Sequence, residues 1–255
     1  MADEVKYDST SINDVTNYIV RNVEHLGTPS RDVDIEVFTE HPGGKLVDTV
    51  YNTKQIRIEG TIIATTNTVM QQKVDELKEL FSRNEKYLDV NWRGTQRKYR
   101  CVCTNVDIPT DFYNITFVPY TATFTVITGF GESVSSIADA NAGQTGATET
   151  KALTITGSHE AYPTISIDVN TETDLTVIAF KTDATGDEIS VSQGFAAGEN
   201  LTINTMNNTV LYEAATSDYT GIFPRFPIGT VNYTATFTST AHNVDITVTY
   251  TPLWL

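Results

Sequence analysis

Residues that carry covalent or metal chemistry are scarce in this chain. It holds two cysteines, Cys101 and Cys103, and four scattered histidines, His25, His41, His159 and His242. Two positions apart on a strand, the cysteines share a face, and their side chains cannot close an undistorted disulfide. With the histidines dispersed, no metal-ligand spacing is present. The expectation is reduced, packed thiols in a protein that folds in the cytosol. Long apolar runs are also missing: none approaches the roughly 20 residues that span a bilayer. The opening residues, MADEVKYDST, are acidic and polar, so no signal peptide and no secretory export are expected. Positive charge is the last shortage. Net charge is −15; residues 1–130 carry 14 Lys and Arg against 18 Asp and Glu, and residues 131–255 carry 3 against 14. Lys151, Lys181 and Arg225 cannot form the basic stripe that neutralises phosphates. This argues against nucleic acid and anionic membranes as partners.

What is present points to β-structure. At 255 residues, 40% hydrophobic and 19% charged, the chain can hold one large or two medium folded domains. Residues 1–30 alternate only weakly, and their start is expected to be mobile. RDVDIEVF, Arg31 to Phe38, places Val33, Ile35 and Val37 on one face of a strand. HPGGKLVD, His41 to Asp48, reads as a turn or loop. TKQIRIEGTIIA, Thr53 to Ala64, is a strand with Ile56, Ile58 and Ile62 on one face. One helix follows, near 68–83, with Thr68 and Gln71 as a capping box and Val74, Leu77, Leu80 and Phe81 as its apolar side. Tyr87–Trp92 and Gln96–Ile108 flank Arg93-Gly94 as a hairpin. Strands Tyr113–Val118 and Tyr120–Thr128 are split by Pro119. They carry no charge, which suits an edge covered by a neighbour.

Gly129 to Thr150 is small, polar and aperiodic. The expected organisation is a β-domain over 1–130, a linker over 131–150, and an all-β domain over 151–255. In the last, short strands at Ala152–Thr156, Thr164–Val169, Leu175–Phe180, Glu188–Ser192, Leu201–Asn204 and Thr209–Tyr212 precede a closing hairpin. Its two strands alternate Val231, Tyr233, Ala235, Phe237 and then Val244, Ile246, Val248, Tyr250 with polar residues. About eight strands at this spacing predict an antiparallel sandwich.

The chemistry-bearing candidates have plain readings. Asp187-Glu188 and Glu172 with Asp174 are paired carboxylates of the type glycosidases use, but they sit in turns, where acids keep loops wet. Cys101 lacks the helix start or glycine elbow that activates a thiolate. GFGESV lacks the lysine and the βαβ unit of a phosphate loop, and His41 in EHPGG reads as a turn residue. Trp92 is expected to pack at a hairpin end, and Trp254 in the sandwich core or at a subunit contact. Arg93, Arg97, Lys98 and Arg100 form the single basic cluster, an ordinary solvated edge or one that meets an acidic neighbour. No residue is assigned a catalytic, cofactor-binding or metal-binding role, and no enzymatic activity is expected.

The order of elements resembles the distal tail proteins of long-tailed bacteriophages with non-contractile tails. The resemblance runs over about residues 31–255. It is carried by TKQIRIEGTI, a helix ending VDELKELF, then KYLDVNW, RKYR and TFTVI, followed by ALTITGSHEAYPTISI and FPRFPIGTVNYTATF…ITVTYTPLWL. It implies a mainly β chain: an N-terminal β-barrel-like or sandwich domain with one helix, and a C-terminal galectin-like antiparallel β-sandwich. It also implies a non-enzymatic part of the phage tail tip or baseplate. Six copies would form a ring joining the tail tube protein to the tail hub, with receptor-binding proteins or host glycans as further partners. The protein would be made in the host bacterial cytoplasm and reside in the virion. No cluster of His, Asn, Arg and Trp on one sandwich face marks a galactoside site. A carbohydrate-binding module, stacking sugars on Trp92, Tyr162 or Trp254, and a tail-tube subunit are the alternatives.

Overall fold

The computed structural model describes residues 3–38, 42–109 and 116–255. The chain divides into two compact units, Met1–Val134 and Ser135–Trp254. The first contains β1 (Glu4–Tyr7), β2 (Thr10–Ser11), β3 (Tyr18–Glu24), β4 (Arg31–Val37), β5 (Gly44–Tyr51), β6 (Lys54–Ile63), α1 (Asn67–Phe81), β7 (Lys86–Trp92), β8 (Thr95–Asp107), β9 (Phe117–Val126) and β10 (Gly131–Glu132). An antiparallel sheet runs β2-β1-β7-β8-β9-β6-β3, with β10 against β8. Strands β4 and β5 pair only with each other.

Alternation decides which side of this sheet is buried. Ile56, Ile58 and Ile62 of β6 are fully buried and meet Tyr120, Ala122, Phe124 and Val126 of β9. Gly60 interrupts the isoleucines because the Tyr120 ring fills its place: a Cβ there would lie 2.4 Å from that ring. Helix α1 covers the apolar side with Met70, Leu77, Leu80 and Phe81. The Phe81 ring stands edge-on to Phe124, centroids 5.3 Å apart, and Tyr7 of β1 lies 5.1 Å from the same ring. Each such fully buried aliphatic or Phe side chain contributes about 1.5–3 kcal/mol.

The helix begins earlier than its periodicity suggests. Thr66, not Thr68, is the cap, and its side chain accepts from the Val69 amide at 3.3 Å. With Val at the third helical position there is no capping box. Thr66→Ala is expected to cost about 1 kcal/mol, read as a lower urea midpoint for the first unit with an unchanged slope.

Four expectations for this unit need correction. Residues 1–30 contribute β1, β2 and β3, and Val5 and Tyr7 are fully buried; the strands are short, so each shows too little alternation to be read. Their turn is held by Asp14, whose carboxylate accepts from the amides of Thr16, Asn17 and Tyr18. Gly44 to Asp48 is strand rather than loop. Strand β9 runs through Pro119, where it pairs with β6 but has passed the last β8 pair at Thr121, so the missing amide need not break a ladder. The charge-free β9 lies between β8 and β6 and is not an edge. The part of that expected strand at Tyr113 falls outside the described residues.

The second unit contains β11 (Ile137–Gln144), β12 (Thr148–Ile155), β13 (Thr164–Thr173), β14 (Val177–Thr182), β15 (Glu188–Ser192), β16 (Asn200–Asn204), β17 (Thr209–Tyr212), β18 (Ala215–Thr216), β19 (Thr220–Gly221), β20 (Gly229–Thr238), β21 (Ala241–Tyr250) and β22 (Leu253–Trp254). One sheet runs β11-β21-β13-β16-β17-β18 and the other β12-β20-β14-β15-β19. Their inner faces share one core, with Ile165, Ile167, Ile246 and Val248 from the first sheet and Ile178, Phe180, Tyr233 and Phe237 from the second. This is an antiparallel β-sandwich, and the described residues as a whole are mainly β with one helix.

The expected linker is mostly strand: β11 pairs with β21 and β12 with β20. IADANAGQ lacks β-formers because β11 is a largely exposed edge, held by its neighbour's ladder rather than by burial. The closing hairpin is also corrected. Both of its strands exist and bury the expected residues, but β20 and β21 belong to opposite sheets. The turn between them carries the chain across the sandwich. The Thr240 amide donates to Thr173 at 3.0 Å, and the Ser239 hydroxyl lies 2.6 Å from Nδ1 of a buried His242.

Candidate functional site

The β4–β5 ribbon is the most exposed regular structure in the first unit. Every residue of β4 is exposed, as are most of β5. Register pairs Val33 with Thr49, Ile35 with Leu46 and Val37 with Gly44, so these lie on one face; Asp32 with Val50, Asp34 with Asp48 and Glu36 with Lys45 form the other. One face is therefore apolar and the other acidic, and both meet solvent. A bulge between Asp34 and Ile35 adds Val47 to the arm. Of the 18 large hydrophobic residues exposed among the described residues, seven lie between Val33 and Val50: Val33, Ile35, Val37, Phe38, Leu46, Val47 and Val50. A two-stranded ribbon is marginal in water by itself, and clustered exposed apolar side chains mark interaction surfaces. His41 lies outside the described residues.

A buried polar cluster sits near the root of this arm. His25 is 1% exposed, and its Nδ1 is 3.0 Å from the Tyr99 hydroxyl, which itself donates to the His25 carbonyl at 3.1 Å. Nδ1 therefore donates, leaving Nε2 a buried acceptor with no protein partner. Lys54 is 3% exposed, with its amine 5.4 Å from the centre of the Tyr99 ring. Burial, assisted by Arg97, holds the Lys54 amine down to about 8; burial, with Lys54 and Arg97, holds His25 down to about 4. Both groups bind their protons less readily folded than unfolded. Stability should thus rise with pH through about 8 to 10 as the unfolded amine alone keeps its proton, and fall with pH from 6.5 toward 4. Lys54→Met is expected to raise the melting temperature at pH 7 and flatten the alkaline rise, which thermal melts across pH would show.

The other sequence candidates are dispersed. Cys101 is buried and Cys103 partly so, both as free thiols. Burial pushes them up to about 12 and about 11, so neither is a ready nucleophile. Asp187 pairs with Arg225, Nε to Oδ2 3.2 Å, while Glu172 accepts from the Leu175 amide and Asp174 takes a left-handed turn conformation. Among the described residues no group of three His, Cys, Asp or Glu side chains is placed to hold a metal ion. The basic cluster does not stand on one face. Arg97 alternates with Lys98 and Arg100; the Lys98 amine lies 4.2 Å from the centre of the Tyr87 ring and Arg100 pairs with Glu85 at 2.7 Å. Arg93 and Gly94 form the β7–β8 turn with φ of 52° and 81°, and the Arg93 amide donates to Asp3. Trp92 joins the core of the first unit, as its hairpin-end position suggested. Trp254 is half-buried and outside the sandwich core, so it is no core anchor. No helix among the described residues is long and apolar enough to cross a membrane.

Residues 156–254 match the family described as siphovirus-type tail component, C-terminal domain. That match lies within the second unit. Among solved structures, the chain is similar over its whole length to the Dit protein of phage SPP1, described as a paradigm of the hub adsorption apparatus in phages that infect Gram-positive bacteria. The two share 14% identity over 100% of both chains, with a TM-score of 0.73. It is also similar to a chain of the phage p2 baseplate in its activated, strontium-bound conformation: 10% identity, 98% of both chains, TM-score 0.53. No curated protein matches it by sequence. The fold of the chain is thus Dit-like over its length.

Proposed function

We propose that this protein is a siphophage tail component and that six copies close into a ring at the distal end of the tail, joining the tail tube protein to the hub and host-recognition apparatus. The observation that carries the proposal is the β4–β5 arm, with its apolar face of Val33, Ile35 and Val37 uncovered. A ring requires contacts in which two different surfaces of each copy meet and the rotation closes. An arm with one apolar and one acidic face, attached to a rigid sheet, is a directional element of that kind. Covering it removes exposed apolar surface at about 25 cal/mol per Å² and supplies the packing that a lone ribbon lacks.

The first unit is assigned the ring, and the second, over Ser135–Trp254, no part in its closure. Its structural relatives, from a hub adsorption apparatus and a baseplate, support placement at the tail tip, and receptor-binding proteins are the further partners of such a site. The role is structural, as a hub adsorption apparatus and a baseplate among its structural relatives suggest. Synthesis in the host bacterial cytoplasm follows from this assignment. Copy number in purified tails tests it. Six per particle supports a single terminal ring, and a number many times larger makes the protein a tube subunit.

A further inference from the structure

A cleft of about 620 Å³ opens in the second unit, where the segment before β13, the β14–β15 turn, the β16–β17 turn and the chain after β19 meet. Six of its residues matter here: Tyr162, Asp187, Asn208, Tyr219, Phe223 and Arg225. Tyr219 is 41% exposed and stands edge-on to Phe223, ring centroids 5.0 Å apart. Beside these rings the Arg225 guanidinium, 59% exposed, meets the Asp187 carboxylate at 3.2 Å. The Tyr162 hydroxyl donates to Glu160 at 2.8 Å, and Asn208 takes a left-handed turn conformation, φ 52°.

The walls of this cleft are fixed before anything binds. The Ala161 amide donates to the Phe226 carbonyl at 2.9 Å, and the Phe226 side chain is fully buried against Phe180. The Thr205 hydroxyl and amide both donate to the Pro163 carbonyl, at 2.9 and 3.1 Å. A preformed cleft loses little conformational entropy on binding.

We infer that this cleft binds a neutral saccharide. A sugar ring has an apolar face of C–H groups and a rim of hydroxyls that both donate and accept. The exposed face of an aromatic ring suits the first. The second needs a donor and an acceptor side by side, which the adjacent guanidinium and carboxylate supply. Arg225 and Asp187 compensate each other and the Glu160 carboxylate lies behind Tyr162, so no positive charge is left over for an anion and a neutral ligand fits better. A peptide added as a strand fits worse: β19 is two residues long, and Gly221 within it has φ of 102°, which breaks an extended edge.

The inference does not depend on the ring, since every residue of the cleft lies in the second unit. The test is saturation-transfer NMR on the full chain with millimolar glucose, galactose, N-acetylglucosamine and rhamnose, each alone and as an oligosaccharide. Saturable transfer to the C–H protons of at least one sugar is expected. Tyr219→Ala and Arg225→Ala should each weaken it about tenfold; both side chains are exposed, so the melting temperature should hold. The Val33→Asp/Ile35→Asp chain should bind the sugar as the parent does. Transfer to none of these sugars, or equal transfer with Tyr219→Ala and Arg225→Ala, overturns the inference. So does loss of co-assembly with other tail proteins in those two variants without any sugar binding, which would make the cleft a protein contact.

Discussion

Val33→Asp combined with Ile35→Asp is expected to turn rings into monomers while leaving the melting temperature almost unchanged. Both side chains lie on the apolar face of the arm, 49% and 53% exposed. Neither contributes to the core, so the change in folding stability should stay within about 0.5 kcal/mol. In the ring the same positions become buried, and placing two carboxylates there leaves charges without partners. Truncation of a central contact residue alone costs about 2 kcal/mol or more, roughly 30-fold in affinity, repeated at every subunit contact. Sedimentation velocity of parent and variant reads the effect. Asp34→Asn, on the opposite face of the arm, separates loss of the apolar surface from disturbance of the ribbon. Rings that survive the double substitution would place the contact elsewhere.

Phe124→Ala carries the largest expected effect on folding. Phe124 is fully buried where β1, β9 and α1 meet, 5.1 Å from Tyr7 and 5.3 Å from Phe81 between ring centroids. Its removal leaves a cavity that α1 and the sheet cannot both close. The expected cost is about 3–5 kcal/mol, a large part of the roughly 5–15 kcal/mol that holds a domain folded. Urea unfolding followed by far-ultraviolet circular dichroism should show the first unit unfolding at much lower denaturant, with the transition of the second unit in place. A loss below about 1 kcal/mol would mean that the aromatic cluster does not tie the helix to the sheet.

Much of the fold is legible because alternation reports burial directly. Val231, Tyr233, Ala235 and Phe237, and then Val244 to Tyr250, show their inward faces in the sequence, and the structure buries them. Alternation does not report the partner, however. Two consecutive strands with the same pattern look alike whether they pair side by side or face each other across a sandwich, and β20 and β21 do the latter. Strand β11 was hidden for the opposite reason: an exposed edge needs no apolar alternation, so IADANAGQ looks like a linker.

The arm shows a further limit. Val33, Ile35 and Val37 have the pattern of a half-buried strand, and the chain leaves that face uncovered. Under the proposed ring, this mismatch between pattern and exposure marks the face that a neighbouring copy covers. That mismatch was invisible until the sheet was assembled, as were the buried Lys54 and the aromatic cleft around Tyr219, because nothing in their local sequence distinguishes them from surface residues.

The central claim is ring formation, and the size of the purified particle tests it most directly. Sedimentation together with negative-stain imaging is expected to show closed six-fold rings of about 169 kDa, six times the 28.1 kDa chain. A chain that stays monomeric at high concentration, both alone and mixed with the tail tube protein, would contradict the account.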